Sequence, residues 1–130
     1  EDGGRFGEVT LQNGTLPYGK QILPDNWGKD ASRWTQADGS VSDAHPTGLY
    51  GYQWWNNEVP VTATKVVPAA NESLKGSLWA LGIFGQMIMV NQAENLVIVQ
   101  WSTWPQAEPS FSAQPLEASL MFSAIANALR

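Results

Sequence analysis

Few residues in this chain could carry covalent chemistry. It has no cysteine and one histidine, His45, which removes thiol nucleophiles, disulfides, cysteine zinc sites and any multi-histidine metal cluster. A serine of the Ser-x-x-Lys type is also missing. Three residues before Lys20, Lys29, Lys65 and Lys75 stand Pro17, Asn26, Thr62 and Glu72. The Gly-x-Ser-x-Gly elbow that raises a serine on a strained turn is absent, and so is the Walker phosphate loop. His45 precedes Pro46 in a polar stretch and reads as a surface histidine. Asp38 with Asp43, or Glu72 with Glu94, have no spacing that enforces proximity, so a two-carboxylate glycosidase is unsupported. The chain supplies no activated nucleophile of its own.

Seven tryptophans are the other chemical feature. Trp54, Trp55, Trp79, Trp101 and Trp104 fall on or beside predicted strands, where indoles either stack on sugars or wall a core or an interface. The core reading is preferred. Twelve Asp and Glu against seven Lys and Arg give a net charge of −5, the wrong sign for nucleic acid or an anionic membrane surface. Hydrophobic residues make up 43% and charged residues 15%, below the roughly 25% charge of an average domain. A disordered chain is excluded, and the 130 residues are read as one domain. No basic start followed by an apolar run opens the sequence, so no secretory signal is read. The uncharged stretch Ser77 to Gln92 is too short and too interrupted by Gly and Gln to span a membrane.

These residues need elements to hold them. Phe6, Val9 and Leu11 suggest a short helix stopped by Asn13-Gly14, although three glycines leave it dependent on tertiary packing. Gln21 to Pro24 reads as extended, with a short helix to about Trp34 and a loop from Thr35 to Thr47. Leu49 to Trp55 is an aromatic strand closed by Asn56-Asn57. From Glu58 to Gly76, Pro60 and Pro68 make a central strand improbable. Two strands follow, Leu78 to Val90 and Leu96 to Trp101, with Asn91 to Asn95 as a hairpin loop. Gly82 and Gly85 mark a bulge or a close backbone approach in the first of them. Pro115 to Arg130 is the strongest helix, its apolar face formed by Leu116, Leu120, Met121, Ala124, Ile125 and Ala128. The expectation is an α+β piece, antiparallel strands with a packed C-terminal helix.

Four segments occur in a telling order: Arg5-Phe6-Gly7, then Gly19-Lys20-Gln21-Ile22-Leu23-Pro24-Asp25-Asn26-Trp27, then Leu49-Tyr50-Gly51-Tyr52-Gln53-Trp54-Trp55, then Leu81-Gly82-Ile83-Phe84-Gly85-Gln86. Val90-Asn91 and Leu96-Val97-Ile98-Val99 come after them. Together they resemble the C-terminal part of the β-lactamase-related serine hydrolases: class C β-lactamases, related esterases and, most of all, 6-aminohexanoate-dimer hydrolases. The resemblance covers nearly the whole chain. It implies the C-terminal portion of a β-lactamase/transpeptidase-like fold, with the nucleophilic Ser-x-x-Lys and a Tyr-x-Asn-type motif lying earlier than anything present here. The family's third motif, Lys-Thr-Gly or a variant, falls where this chain has Ser77-Leu78-Trp79-Ala80-Leu81-Gly82. Without lysine or histidine there, an esterase or amide hydrolase is implied rather than a β-lactamase.

By the same resemblance, a backbone N–H of Ala80 or Leu81 is one oxyanion-hole donor, and Tyr52, Trp55, Gly82 and Ile83 bind substrate. No cofactor and no metal are implied. The implied partners are a small ester or amide and the missing N-terminal portion of the hydrolase, or self-association through the strand edge and apolar face left uncovered. The implied compartment is a bacterial periplasm or cell envelope. The alternative is a non-catalytic, Trp-rich carbohydrate-binding or interaction module.

Overall fold

The structure, a computed structural model, describes residues 1–27, 50–51, 54–56, 76–107 and 113–130. His45, Tyr52, the helix expected up to Trp34, the loop 35–47 and nearly all of the segment 58–76 lie outside those residues.

Helix α1 spans Asp2–Leu11 and stops where Asn13-Gly14 said it should. Asn13 and Gly14 adopt φ of 51° and 82°, Asn13 N–H donates to Thr10 O and Gly14 N–H donates to Val9 O at 2.7 Å. This is the Schellman closure, and it satisfies carbonyls that the helix end leaves free. The glycines inside α1 have a reason. A Cβ on Gly3 would stand 3.1 Å from Val99 Cγ1, and one on Gly7 would collide with Val97. Gly3, Gly7 and buried Thr10 form the stripe that lets the helix lie close on the sheet, so packing replaces the propensity that glycine forfeits.

The sheet is a five-stranded antiparallel meander whose strands lie in chain order: β1 Tyr50–Gly51, β2 Trp54–Asn56, β3 Leu78–Gly82, β4 Gln86–Asn91 and β5 Leu96–Gln100. Two expected strands turn out to be hairpins. Tyr50 pairs with Trp55 and Gly51 with Trp54, so the aromatic string folds back on itself instead of running straight. The run from Leu78 to Val90 breaks at a turn, Ile83–Gly85, because Phe84 and Gly85 take φ of 55° and 80°, which no strand can accommodate. The Asn91 to Asn95 loop joins β4 and β5 as expected, with Asn95 at φ 50°.

The alternation of side chains across the pleat gives the sheet two apolar faces. Under α1 lie buried Trp54, Leu78 and Val90, packed with Trp27, Ala80, Ile88, Val97 and the helix's own Leu11. Phe6 of α1 stacks on Trp54 with ring centroids 5.8 Å apart. The other face carries Trp79, Met87 and Met89 against Ala118, Phe122 and Ala126 of helix α2, Ala113–Ala128. Phe122 stacks on Trp79 at 5.4 Å, and both are fully buried. Trp79 Nε1 has no hydrogen-bond partner among the described residues.

The face of α2 differs from expectation. Leu120 and Met121 are 59% and 45% exposed, Ala124 and Ala128 are exposed and Ile125 is half-buried, while the Leu116 side chain lies outside the described residues. The buried face is Ala118, Phe122 and Ala126. Apolar residues surround this helix, so periodicity could not select a side, and the small alanines flanking Phe122 allow the close seat on Trp79. Beyond its end, Arg130 forks onto Glu94 in the β4–β5 hairpin, with Nε 3.1 and 3.2 Å from the two carboxylate oxygens. The architecture is α+β, a helix on each face of an antiparallel sheet. No helix among the described residues is long and apolar enough to cross a membrane.

Candidate functional site

The last residues of β3 are distinguished by what lies beside them. β2 pairs with β3 at Trp55↔Trp79 and Asn56↔Leu78, whereas β4 accompanies it as far as Gly82↔Gln86. Ala80, Leu81 and Gly82 therefore have β4 on one side and, among the described residues, no ladder partner on the other. Residues of an antiparallel pair alternate between exchanging both ladder bonds and exchanging none. One of the adjacent N–H groups of Ala80 and Leu81 thus serves the ladder with β4, and the other is presented at the open edge.

A cleft of about 420 Å³ opens at this end of the sheet. Ala80, Leu81, Ile88, Val99 and Trp101 give it an apolar lining, and Gln86 and Gln100 add two amides. Trp101 is 74% exposed, while Trp54 and Trp79 are buried and Trp27, Trp55 and Trp104 are half-buried. Most described indoles therefore wall the core, as preferred above. Among the described residues, no ionisable side chain, serine or threonine lines the cleft. What these described residues offer a ligand is shape, apolar surface and amide groups. The shifted titrations lie elsewhere. The Arg130 guanidinium hydrogen-bonds Glu94, holding its carboxyl below the ordinary carboxylate range and raising the arginine in turn.

The structure brings some expected site residues together and separates others. Ala80, Leu81 and Gly82 line the cleft. Trp55 pairs with Trp79 and packs with the α2-side core, away from the cleft lining. Ile83 is 56% exposed on the turn and does not line the cleft either. Tyr52 lies outside the described residues.

Sequence reasoning assigned no role to Gln86 or Gln100, and read Trp104 only as one of the indoles that stack on sugars or wall a core or an interface. Gln86 donates through Nε2 to Ser102 O, and Gln100 Nε2 donates to Gly85 O at 3.2 Å and Ser102 Oγ at 2.7 Å. Trp104 covers Gly85 so closely that a Cβ there would stand 2.5 Å from the indole. The flagged glycine was the signal available, since a close backbone approach was expected near it. What approaches is a side chain nineteen positions later in the chain.

No family model matches the chain. A 6-aminohexanoate-dimer hydrolase of Paenarthrobacter ureafaciens is 28% identical over 108 residues, a match covering 80% of this chain and 24% of that protein. The chain thus spans about a quarter of the length of that curated relative. This supports a distant relation to the β-lactamase-fold hydrolases, the group to which the ordered segments pointed.

Proposed function

We propose, from this distant kinship to a hydrolase, that the chain forms the C-terminal segment of a β-lactamase-like serine hydrolase acting on an ester or amide. It contributes the oxyanion strand and a pocket wall, while the nucleophile belongs to a portion that these 130 residues do not include. The observation that carries this reading is the end of β3, which among the described residues has no ladder partner on its outer side and borders a cleft whose described lining holds no nucleophile, acid or base. An oxyanion hole needs fixed N–H donors rather than particular side chains, so an apolar Ala80-Leu81-Gly82 edge suits the task.

In the reaction, a serine Oγ attacks the substrate carbonyl carbon, and the charge that develops on its oxygen is met by the Ala80 or Leu81 N–H. The ester C–O or amide C–N bond breaks, the departing alcohol or amine takes up a proton, and water hydrolyses the acyl-serine. Removing one such donor typically costs about 3–4 kcal/mol of transition-state stabilisation.

The test is the natural polypeptide that carries this sequence, measured as an intact mass and reacted with a fluorophosphonate probe. A longer chain bearing Ser-x-x-Lys that is labelled and hydrolyses a chromogenic ester is expected, with the isolated 130 residues inert. Turnover by the isolated chain, insensitive to serine-directed inhibitors, would overturn the proposal. So would a natural product that takes no label.

A further inference from the structure

The turn joining β3 to β4 holds a conformation that its sequence disfavours. Phe84 sits at φ 55° and ψ 25°, a left-handed conformation uncommon for any residue but glycine. Gly85 follows at φ 80°, and Gln86 N–H closes the turn on Ile83 O. Two successive left-handed residues are what a tight I′ hairpin turn requires. A bulky residue persists there only where its surroundings over-determine it.

Those surroundings are residues 100–107. Phe84 N–H donates to Ala107 O at 3.0 Å, and Trp104 N–H donates to Phe84 O at 3.1 Å. Both backbone groups of the strained residue are thus tied to one segment. Gln100 holds Gly85 O, Gln86 reaches Ser102 O, and the Trp104 indole fills the space a side chain at position 85 would need. No member of this set ionises within the working pH range.

We propose that residues 100–107 are a strap that sets the backbone at the open end of β3, making Gln100 and Trp104 positioning residues for the hydrolase. The proposal rests on reading that edge as the oxyanion strand. The mechanical link is short: Gly82↔Gln86 is the last pair of the β3–β4 ladder, so the turn dictates where the Leu81 and Gly82 peptides point. A donor displaced by about 1 Å can cost on the order of 10²-fold in rate.

Two readouts separate the strap from the catalytic reading. In the natural polypeptide that carries this chain, hydrogen exchange is followed at the amides of 81–86, with those of β5 and α2 as internal references. Trp104→Ala and Gln100→Leu are expected to speed exchange at 81–86 selectively, and Trp104→Phe to restore protection. Gln100→Leu covers the case in which Trp104→Ala does not fold. In the natural hydrolase, the same substitutions are expected to lower kcat by about 10–100-fold with little change in KM, again with rescue by Trp104→Phe.

Unchanged or uniformly altered exchange overturns the strap. Selective loosening with an unchanged kcat overturns the positioning role alone. Selective loosening in a natural protein without hydrolase activity removes the proposed function, and the positioning role with it, while the strap stands.

Discussion

The two β-turns at opposite ends of the β3–β4–β5 meander are held by different means. At the β4–β5 end, the left-handed position is occupied by Asn95 at φ 50°, a residue that tolerates it. At the β3–β4 end, the corresponding geometry falls on Phe84, which does not. The first hairpin is bound to both helices by polar side chains. Gln92 Nε2 donates to Thr10 O, Leu11 O and Asn13 Oδ1 at the end of α1, and Arg130 grips Glu94. Buried Asn91 donates to Ser77 Oγ and accepts from Glu94 N–H. The second turn has no ion pair; it is strapped by amides and an indole while Ile83, Phe84 and Trp101 remain exposed. One end is fastened by polar side chains, and the other carries conformational cost and exposed apolar side chains beside a cleft.

Four substitutions sharpen or break that contrast. Gly85→Ala should have the largest effect, because alanine is strained at φ 80° and its Cβ meets Trp104. A loss of about 2–4 kcal/mol is expected in denaturant unfolding, with Trp104 fluorescence shifting to longer wavelength as the indole is expelled. Asn91→Ala should cost about 1–3 kcal/mol, since two hydrogen bonds disappear at a buried position. Equal costs for these two variants, with no fluorescence change in the first, would erase the distinction between the ends. Gln92→Ala should cost about 0.5–1.5 kcal/mol. Its loss should appear as faster amide exchange where α1 ends, not at 81–86.

Arg130→Ala should have the smallest effect, and one that depends on pH. Hydrogen bonding from Arg130 lowers the Glu94 pKa below its ordinary 4.5. The pair's contribution is therefore present above that ordinary value and lost as pH falls through the lowered one. Wild type should exceed Arg130→Ala by a small margin at about pH 7, and the margin should shrink as pH falls below the ordinary value and through the lowered one. A margin that grows toward acid would reverse the sign and exclude this pairing as its origin.

Much of the scaffold was legible from residue types. Asn13-Gly14 announces the Schellman end of α1 because few residues accept positive φ, and the mostly polar stretch 91–95 announces a hairpin between two aliphatic runs. The α+β class follows from those elements. The absence of Ser-x-x-Lys and Gly-x-Ser-x-Gly motifs was also readable, since each depends on spacing alone.

Three other features required the third dimension. The aromatic string and the Leu78 to Val90 run each hide a reversal, because strand propensity records side-chain type and not where a chain turns. The buried face of α2 was decided by fit, Phe122 between two alanines on Trp79, where an all-round apolar helix offers periodicity no preference. The strap joins Gly85 to Trp104 and Gln100 through contacts that no local pattern encodes. Sequence by itself thus determined the helix end at Asn13-Gly14, the β4–β5 hairpin, the fold class and the absence of the serine motifs sought, which rest on residue type and short spacing. Tertiary structure decided the open edge of β3, the cleft beside it and the hold on its turn, because each depends on which distant residues come into contact.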